Sequence, residues 1–378
     1  MSFFKFISFK VLMPLFYDLG KLKKLKEKKV VFVEISAPVM TDSFSLLYEK
    51  FSGEFDTEVS FLHNGSVTSA AYLKNSLKLL FQVADAKYVF INEASNVLSA
   101  VRLREGSSVI QTWHGCGAFK KFGFSTAELS WGVSLSEMEK YPYYKNLSLV
   151  TVSSPECIKA YKDAMRVDED IIRPTGVSRT DYYFRKKSDI LAKRRFEELF
   201  PEAGGYKVIL FAPTFRGTQK EAVSVELDYR KLKGALSDRF VLVIKEHPFV
   251  REKAWIPEDC YGFARDLTGE MSIEELMLRA DICVTDYSSL IFEYSLLLRP
   301  MIFYAPDLEK YYDERGFYYS YEELTPGPVT RTMDELIAAV KDFDRGFDER
   351  QVKEFRDRFM GSCDGNSTER IYDAVLNL

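Results

Sequence analysis

The stretch TDYSSLIFEYSLLLRPMIFY, residues 285–304, decides how this chain folds. Thr285 closes the uncharged run Ile282 to Thr285, which reads as a buried strand. Asp286, Ser288 and Ser289 are residue types that start helices, and residues 289–298 read as the helix that follows. Met301 to Tyr304 is a second uncharged strand. Strand, helix and strand in this order make one βαβ winding. Strands without charge are buried on both faces of a parallel sheet.

The same alternation continues in both directions. Lys207 to Ala212 and Phe240 to Lys245 read as strands, with helices near 228–236 and 271–279. Residues 181–195 are polar and basic and read as a linker plus helix. Before them lies a first series of strands: Lys29 to Ile35, Glu58 to Leu62, Tyr88 to Asn92, Ser107 to Gln111, Leu147 to Ser153 and Asp170 to Pro174. Helices at Ser43 to Phe51, at Thr68 to Leu80 and after Pro155 lie between them. Helices near 332–343, 348–360 and 367–377 finish the chain. Two α/β halves of similar size predict two doubly wound, Rossmann-type domains facing a central cleft. Ligands then sit outside the carboxyl ends of the strands. The expected boundaries are 29–180 for the first domain and 181–378 for the second, terminal helices included.

Composition narrows the partners. The 378 residues are 46% hydrophobic, enough for a large core. A net charge of −4 gives no global basic field and argues against nucleic acid. The five cysteines are scattered, with no CxxC pair, so zinc ribbons and disulfide frameworks are not expected. Free thiols of a reducing cytosol are. Residues 3–17, FFKFISFKVLMPLFY, are apolar but too short and too charged to span a bilayer. KLKKLKEKK, residues 21–29, follows. Residues 1–28 therefore read as an amphipathic, polybasic segment on an anionic membrane surface, at the cytoplasmic face. A packed helix with a solvated lysine face is the competing reading. The aromatic clusters Tyr141, Tyr143, Tyr144 and Tyr311, Tyr312, Phe317, Tyr318, Tyr319 serve either a core or a groove wall.

The polar signals fall at strand ends. In QTWHGCGAFKKFG, residues 111–123, His114 is one of three histidines in the chain. Its imidazole suits a base for an alcohol, a phosphate partner or a packed ring. Gly115 and Gly117 allow close backbone approach, and Lys120 and Lys121 suggest an anionic ligand. In KEHP, residues 245–248, His247 is a phosphate partner for a leaving group or a packed ring. In APTFRG, residues 212–217, Thr214 and Arg216 follow a strand, and Arg216 is placed to clamp a diphosphate. Asp286, Ser288 and Ser289 suit a phosphate at a helix start, or simple capping, or both. Glu293, one turn on, either accepts two ribose hydroxyls or lies on the surface. His63 reads as structural. The strings DED (168–170) and DFD (342–344) read as solvated carboxylates, and no metal-ligand spacing appears. Without GxGxxG, a nicotinamide dinucleotide is a poor fit.

Taken in order, WHG (113–115) with its lysines, APTFR (212–216), HP (247–248), and TDYSS (285–289) with Glu293 and RP (299–300) resemble the CDP-glycerol glycerophosphotransferase family. These enzymes prime or polymerise wall teichoic acids and related capsules. GVSRTDYYF (176–184) and DGNSTERIYDAV (364–375) resemble further family segments, so the likeness covers roughly residues 85–378. The resemblance implies a GT-B-like fold, with an acceptor-side first domain and a donor-binding second domain. It implies chemistry without a metal or cofactor and a CDP-activated polyol donor. By resemblance His114 is the base for the acceptor hydroxyl, and His247 contacts donor phosphate. Ser288, Ser289 and Asp286 bind that phosphate or its polyol. The expected reaction moves glycerol phosphate from CDP-glycerol to a lipid-linked (undecaprenyl-type) saccharide or a growing polyol-phosphate chain, releasing CMP. CDP-ribitol is the alternative donor. A nucleotide-sugar glycosyltransferase and a scaffold without turnover are the competing readings. The tail CGAFKKFG departs from the threonine-proline version of long polymerases, which points to a short enzyme, a primase or a compact polymerase.

Overall fold

The computed structural model describes residues 3–65, 67–127, 129, 132–218, 221–252, 254–309 and 316–378. Its first sheet holds β1 (Lys26–Glu34), β2 (Asp56–Phe61), β3 (Ala86–Ile91), β4 (Ser108–Gln111), β5 (Leu147–Thr151) and β6 (Ile172–Arg173), in the order β2-β1-β3-β4-β5-β6. Its second holds β7 (Lys207–Phe211), β8 (Phe240–Ile244), β9 (Ala264–Asp266), β10 (Ile282–Thr285), β11 (Met301–Tyr304) and β12 (Val329–Thr330), in the order β12-β11-β10-β7-β8-β9. Every pairing is parallel. Each sheet reverses its winding once, between β1 and β3 in the first and between β7 and β10 in the second. Such reversals open a crevice at the strands' carboxyl ends, where ligands bind in doubly wound sheets.

The chain forms two compact units. One runs to Asp181 and takes in Gly361–Leu378; the other is Tyr182–Met360. The sequence reading placed residues 361–378 in the second domain. Burial explains the difference. Phe32 and Phe90, on one face of the first sheet, pack with Phe44 and Phe51 and with Ile371, Tyr372 and Val375 of the terminal helix Ser367–Leu376. On the other face, Val31, Val33, Val89 and Ile91 pack with Leu79, Leu80 and Val83. Helical periodicity showed that residues 367–377 carry an apolar face, but not which sheet that face covers.

The junction is braced within the first unit. The buried Asp181 carboxylate accepts the amides of Ser367 at 3.0 Å and Thr368 at 2.7 Å. Ser178 and Thr368 share a hydroxyl hydrogen bond of 2.9 Å, and Arg370 donates to the Thr175 carbonyl at 2.9 Å. Gly176 has φ of +84°, and a Cβ there would lie 2.3 Å from the Ser362 carbonyl oxygen. The segments GVSRTDYYF and DGNSTERIYDAV thus meet each other where the chain leaves and re-enters the unit. Asp181→Ala orphans two buried amides and is expected to lower stability by about 1–3 kcal/mol. An unchanged urea midpoint would refute this.

The N-terminal segment is not set apart as residues 1–28. Phe3–Ile7, Ser8–Leu12 (a π turn) and Met13–Gly20 follow head to tail as one helical run. Phe9, Met13 and Tyr17 enter the core beside Leu80, Val83 and Ala84. Lys26, Lys28 and Lys29 already belong to β1, and Lys29 is buried against Asp85 at 3.0 Å and Glu58 at 3.1 Å. Carboxylates distant in sequence draw in lysines that looked solvated. Tyr141 and Phe317 are buried; Tyr311 and Tyr312 lie outside the described residues. All five cysteines are buried and none is in a disulfide. Asp168, Glu169, Asp170 and Asp342 are exposed.

Candidate active site

In the first unit the site is built after β4. Gln111 turns its side chain back onto the loop: Oε1 accepts the Trp113 amide at 2.9 Å, and Nε2 donates to the Glu93 carbonyl at 3.0 Å. This holds Trp113 at φ +56°, a strained position for a bulky side chain. The indole lies 4.6 Å from the His114 ring and 4.7 Å from Phe122. Gly117, at φ +64°, donates its amide to Ser153 Oγ at 3.0 Å. The Gly115 carbonyl accepts from Tyr161 at 3.5 Å. Lys120 and Lys121 are half-buried nearby in sequence.

His114 Nδ1 lies 3.1 Å from the Asn92 carbonyl oxygen. A carbonyl only accepts, so Nδ1 carries the proton and the neutral ring keeps its lone pair on Nε2. Asn92 is itself fixed. Its amide donates to Glu34 Oε2 at 2.9 Å and to Thr41 Oγ1 at 3.2 Å, while Glu34 Oε1 accepts the Thr41 amide at 2.6 Å. The imidazole reaches solvent yet is closely surrounded by protein. That desolvation lowers its pKa from 6.5; the Asn92 carbonyl and Glu93 oppose the shift and Arg179 adds to it. The ring is therefore a neutral base at neutral pH.

In the second unit a buried knot lies between the ends of β7 and β10. Asp286 is fully buried; its Oδ1 accepts the amides of Thr214 at 2.8 Å and Tyr287 at 2.6 Å. The Thr214 hydroxyl bonds the same carboxylate at 3.0 Å. Arg216 donates to Asp286 Oδ2 at 2.8 Å and to both oxygens of Asp307, at 2.6 and 3.0 Å. Tyr287 donates to Asp307 at 3.1 Å, and Tyr321 to the Asp286 carbonyl at 3.0 Å. Burial pushes the Asp286 carboxyl up, and Arg216 with the Thr214 and Tyr287 amides pulls against it. Sequence reading gave Thr214, Arg216 and Asp286 to the substrate. The structure engages them with one another, beneath the turn that presents Ser288 and Ser289.

Ser289 is exposed and Ser288 half-buried, the Ser288 hydroxyl accepting the Leu290 amide at 3.4 Å. The helix they start, Leu290–Ser295, is shorter than the expected 289–298, and tighter turns complete the run to Leu298. Glu293 is 5% exposed, so it is not a surface residue. His247 stands between Phe215 and Phe249, with centroids 4.8 and 4.9 Å away. Its Nδ1 accepts the Phe249 amide at 3.2 Å, so the proton of the neutral ring sits on Nε2. The two histidines hold opposite tautomers. Among the described residues no group of three or more His, Cys, Asp or Glu could hold a metal ion.

Sequence reasoning missed Asn92, Glu34, Asp307, Tyr287 and Tyr321. Two of them left a signal: Glu34 as a carboxylate ending the apolar run KVVFVE, and Tyr287 by its place inside TDYSS.

Two parallel, doubly wound six-stranded sheets define a GT-B-like fold. The solved structure of the wall teichoic acid polymerase TagF shares it, with a TM-score of 0.79 at 23% identity over 97% of this chain and 93% of that one. The family described as CDP-Glycerol:Poly(glycerophosphate) glycerophosphotransferase matches residues 15–377, and the chain belongs to that family of transferases. The teichoic acid ribitol-phosphate primase of Bacillus spizizenii is 34% identical over 94% of this chain and 93% of its own length. The teichoic acid glycerol-phosphate primase of Bacillus subtilis is 28% identical over 80% of this chain and 76% of its own.

Proposed function

We propose that the chain transfers a polyol phosphate from a CDP-polyol to an acceptor hydroxyl and releases CMP. The opposite tautomers of His114 and His247 carry this reading. His114 Nε2 takes the hydroxyl proton, and the oxygen attacks the phosphorus that bears the polyol. The bond from that phosphorus to the CMP oxygen breaks. His247 Nε2–H and the backbone amides at Ser288 and Ser289 meet the charge on the phosphates, with Lys120 and Lys121 placed for an anionic part of the acceptor. Base assistance contributes about 10²–10⁴-fold, and preorganised donors a comparable share. The reading asks for no metal or cofactor.

For the donor, the 34% identity to a ribitol-phosphate primase over nearly both full chains favours CDP-ribitol over the CDP-glycerol that the sequence reading put first. The test is CMP release from CDP-ribitol, CDP-glycerol and nucleotide sugars, with a lipid-linked saccharide acceptor. CDP-ribitol is expected to turn over fastest. Sugar transfer without CMP release would replace this reading with a glycosyltransferase, and donor binding without turnover would leave a scaffold. Product mass separates a primase, which adds one unit, from a polymerase.

A membrane-borne acceptor fits the N-terminal helix. Phe4, Val11, Leu15 and Leu19 are 53, 46, 50 and 47% exposed, spaced for one face beside the exposed Lys10, and Leu22, just past the helix, is 83% exposed. No helix among the described residues is long and apolar enough to cross a membrane. We propose peripheral binding at the cytoplasmic face, a reading that the exposed apolar and basic side chains support. Sedimentation with phosphatidylglycerol vesicles is expected to carry the protein down, and Leu15→Glu with Leu19→Glu to release it. Equal sedimentation of both forms would sink the idea.

A further inference from the structure

A cavity in the unit Tyr182–Met360 is lined by none of the residues given a role in the transfer above. It encloses about 720 Å³, within the range of about 300–1,000 Å³ usual for small-molecule clefts. One wall starts at Glu221, beside the bridge between Arg216 and Val223, and continues to Arg230; the other is built from Val250 to Glu252 and from Ala254, Trp255 and Pro257. Its floor is Glu246, next in sequence to His247.

Glu246 is 4% exposed, and its Oε2 has no hydrogen-bond partner among the described residues. A buried carboxyl oxygen without a donor is costly, and a ligand that brings a hydroxyl relieves the cost. Trp255, at the rim, is 77% exposed and offers a flat apolar face. Ser224 and Tyr229, both hydroxyl-bearing, also line the space. The described lining holds five carboxyl side chains and two arginines, which disfavours phosphate. It holds no metal-binding group of His, Cys, Asp or Glu.

From this combination we infer that the cavity binds an uncharged polyhydroxylated ligand, a sugar or a polyol, with Glu246 bonding its hydroxyls and Trp255 stacking on its carbon face. Burial raises the Glu246 pKa, with a hydrogen bond from Ser224 opposing and Asp266 adding. The inference rests on the proposed transfer for its biological source, which is either the donor's polyol or the acceptor's saccharide.

The test is saturation-transfer NMR and calorimetry on the full chain with ribitol, glycerol, N-acetylglucosamine and, as a control, CMP. A sugar or polyol is expected to bind. Trp255→Ala, a change at an exposed position that removes no core packing, should weaken that binding at least tenfold, as should Glu246→Leu, while CMP affinity stays as in the parent. Displacement by CDP-ribitol assigns the ligand to the donor; retention beside CDP-ribitol assigns it to the acceptor. The inference is overturned if no sugar or polyol binds, if Trp255→Ala binds it as the parent does, or if the variants lose CMP instead. CMP release without sugar binding would defeat this inference alone; sugar binding without CMP release would defeat the proposed transfer alone.

Discussion

His114→Ala is expected to slow CMP release by about 10²–10⁴-fold while donor affinity and melting temperature stay close to the parent's. The ring reaches solvent, so its loss opens no sealed cavity, and its partner at Nδ1 is a main-chain carbonyl that water can satisfy. What disappears is the lone pair on Nε2. The pH dependence follows from the same geometry. The active form is the neutral ring, and desolvation, the largest cause, holds the folded pKa below 6.5. Activity is therefore full at neutral pH and falls as pH drops through that lowered pKa, placing the acid limb of kcat/KM below pH 6.5. Folding shares the sign: below pH 6.5 the unfolded ring binds a proton that the folded ring resists, so this contribution to stability is present above 6.5 and lost in acid. Undiminished CMP release by His114→Ala, or an acid limb above 6.5, would remove His114 from the role.

Strands β10 and β11 were legible because their uncharged runs leave no solvent-facing side. Strands β9 and β12 were not: β9 carries Arg265 and Asp266 within three residues, and β12 is only two residues long. Periodicity needs more positions than these supply. The two histidines could be named from their residue type and place at strand ends. Their tautomers could not, because the partners are the main-chain carbonyl of residue 92 and the main-chain amide of residue 249. No side-chain pattern encodes either. Arg216 looked like a diphosphate clamp for a related reason. Its partner Asp307 lies 91 residues away, and only the closing of the sheet brings them together.

Arg216→Met is expected to destabilise the unit Tyr182–Met360 by about 3–5 kcal/mol, the usual cost of removing one partner from a buried ion pair. Asp286 has a side-chain exposure of 1% and cannot recover its lost cation from water. The Thr214 and Tyr287 amides remain, but burial already pushes this carboxyl above 3.8, and the variant removes the main force holding it down. A carboxyl with a raised folded pKa is most compatible with folding when protonated. The deficit should therefore be largest at neutral pH and shrink as pH falls through the raised pKa towards 3.8. Asp307→Asn is expected to cost much less, since Asp307 is 34% exposed and Arg216 keeps Asp286. Calorimetric unfolding across pH measures both variants. CMP release should fall together with stability in Arg216→Met, because the turn presenting Ser288 and Ser289 rests on Asp286. A diphosphate clamp makes the opposite forecast: parent-like unfolding with a raised KM for the CDP-polyol. That outcome would return Arg216 to the substrate and leave the buried Asp286 charge to be balanced by hydrogen bonds alone.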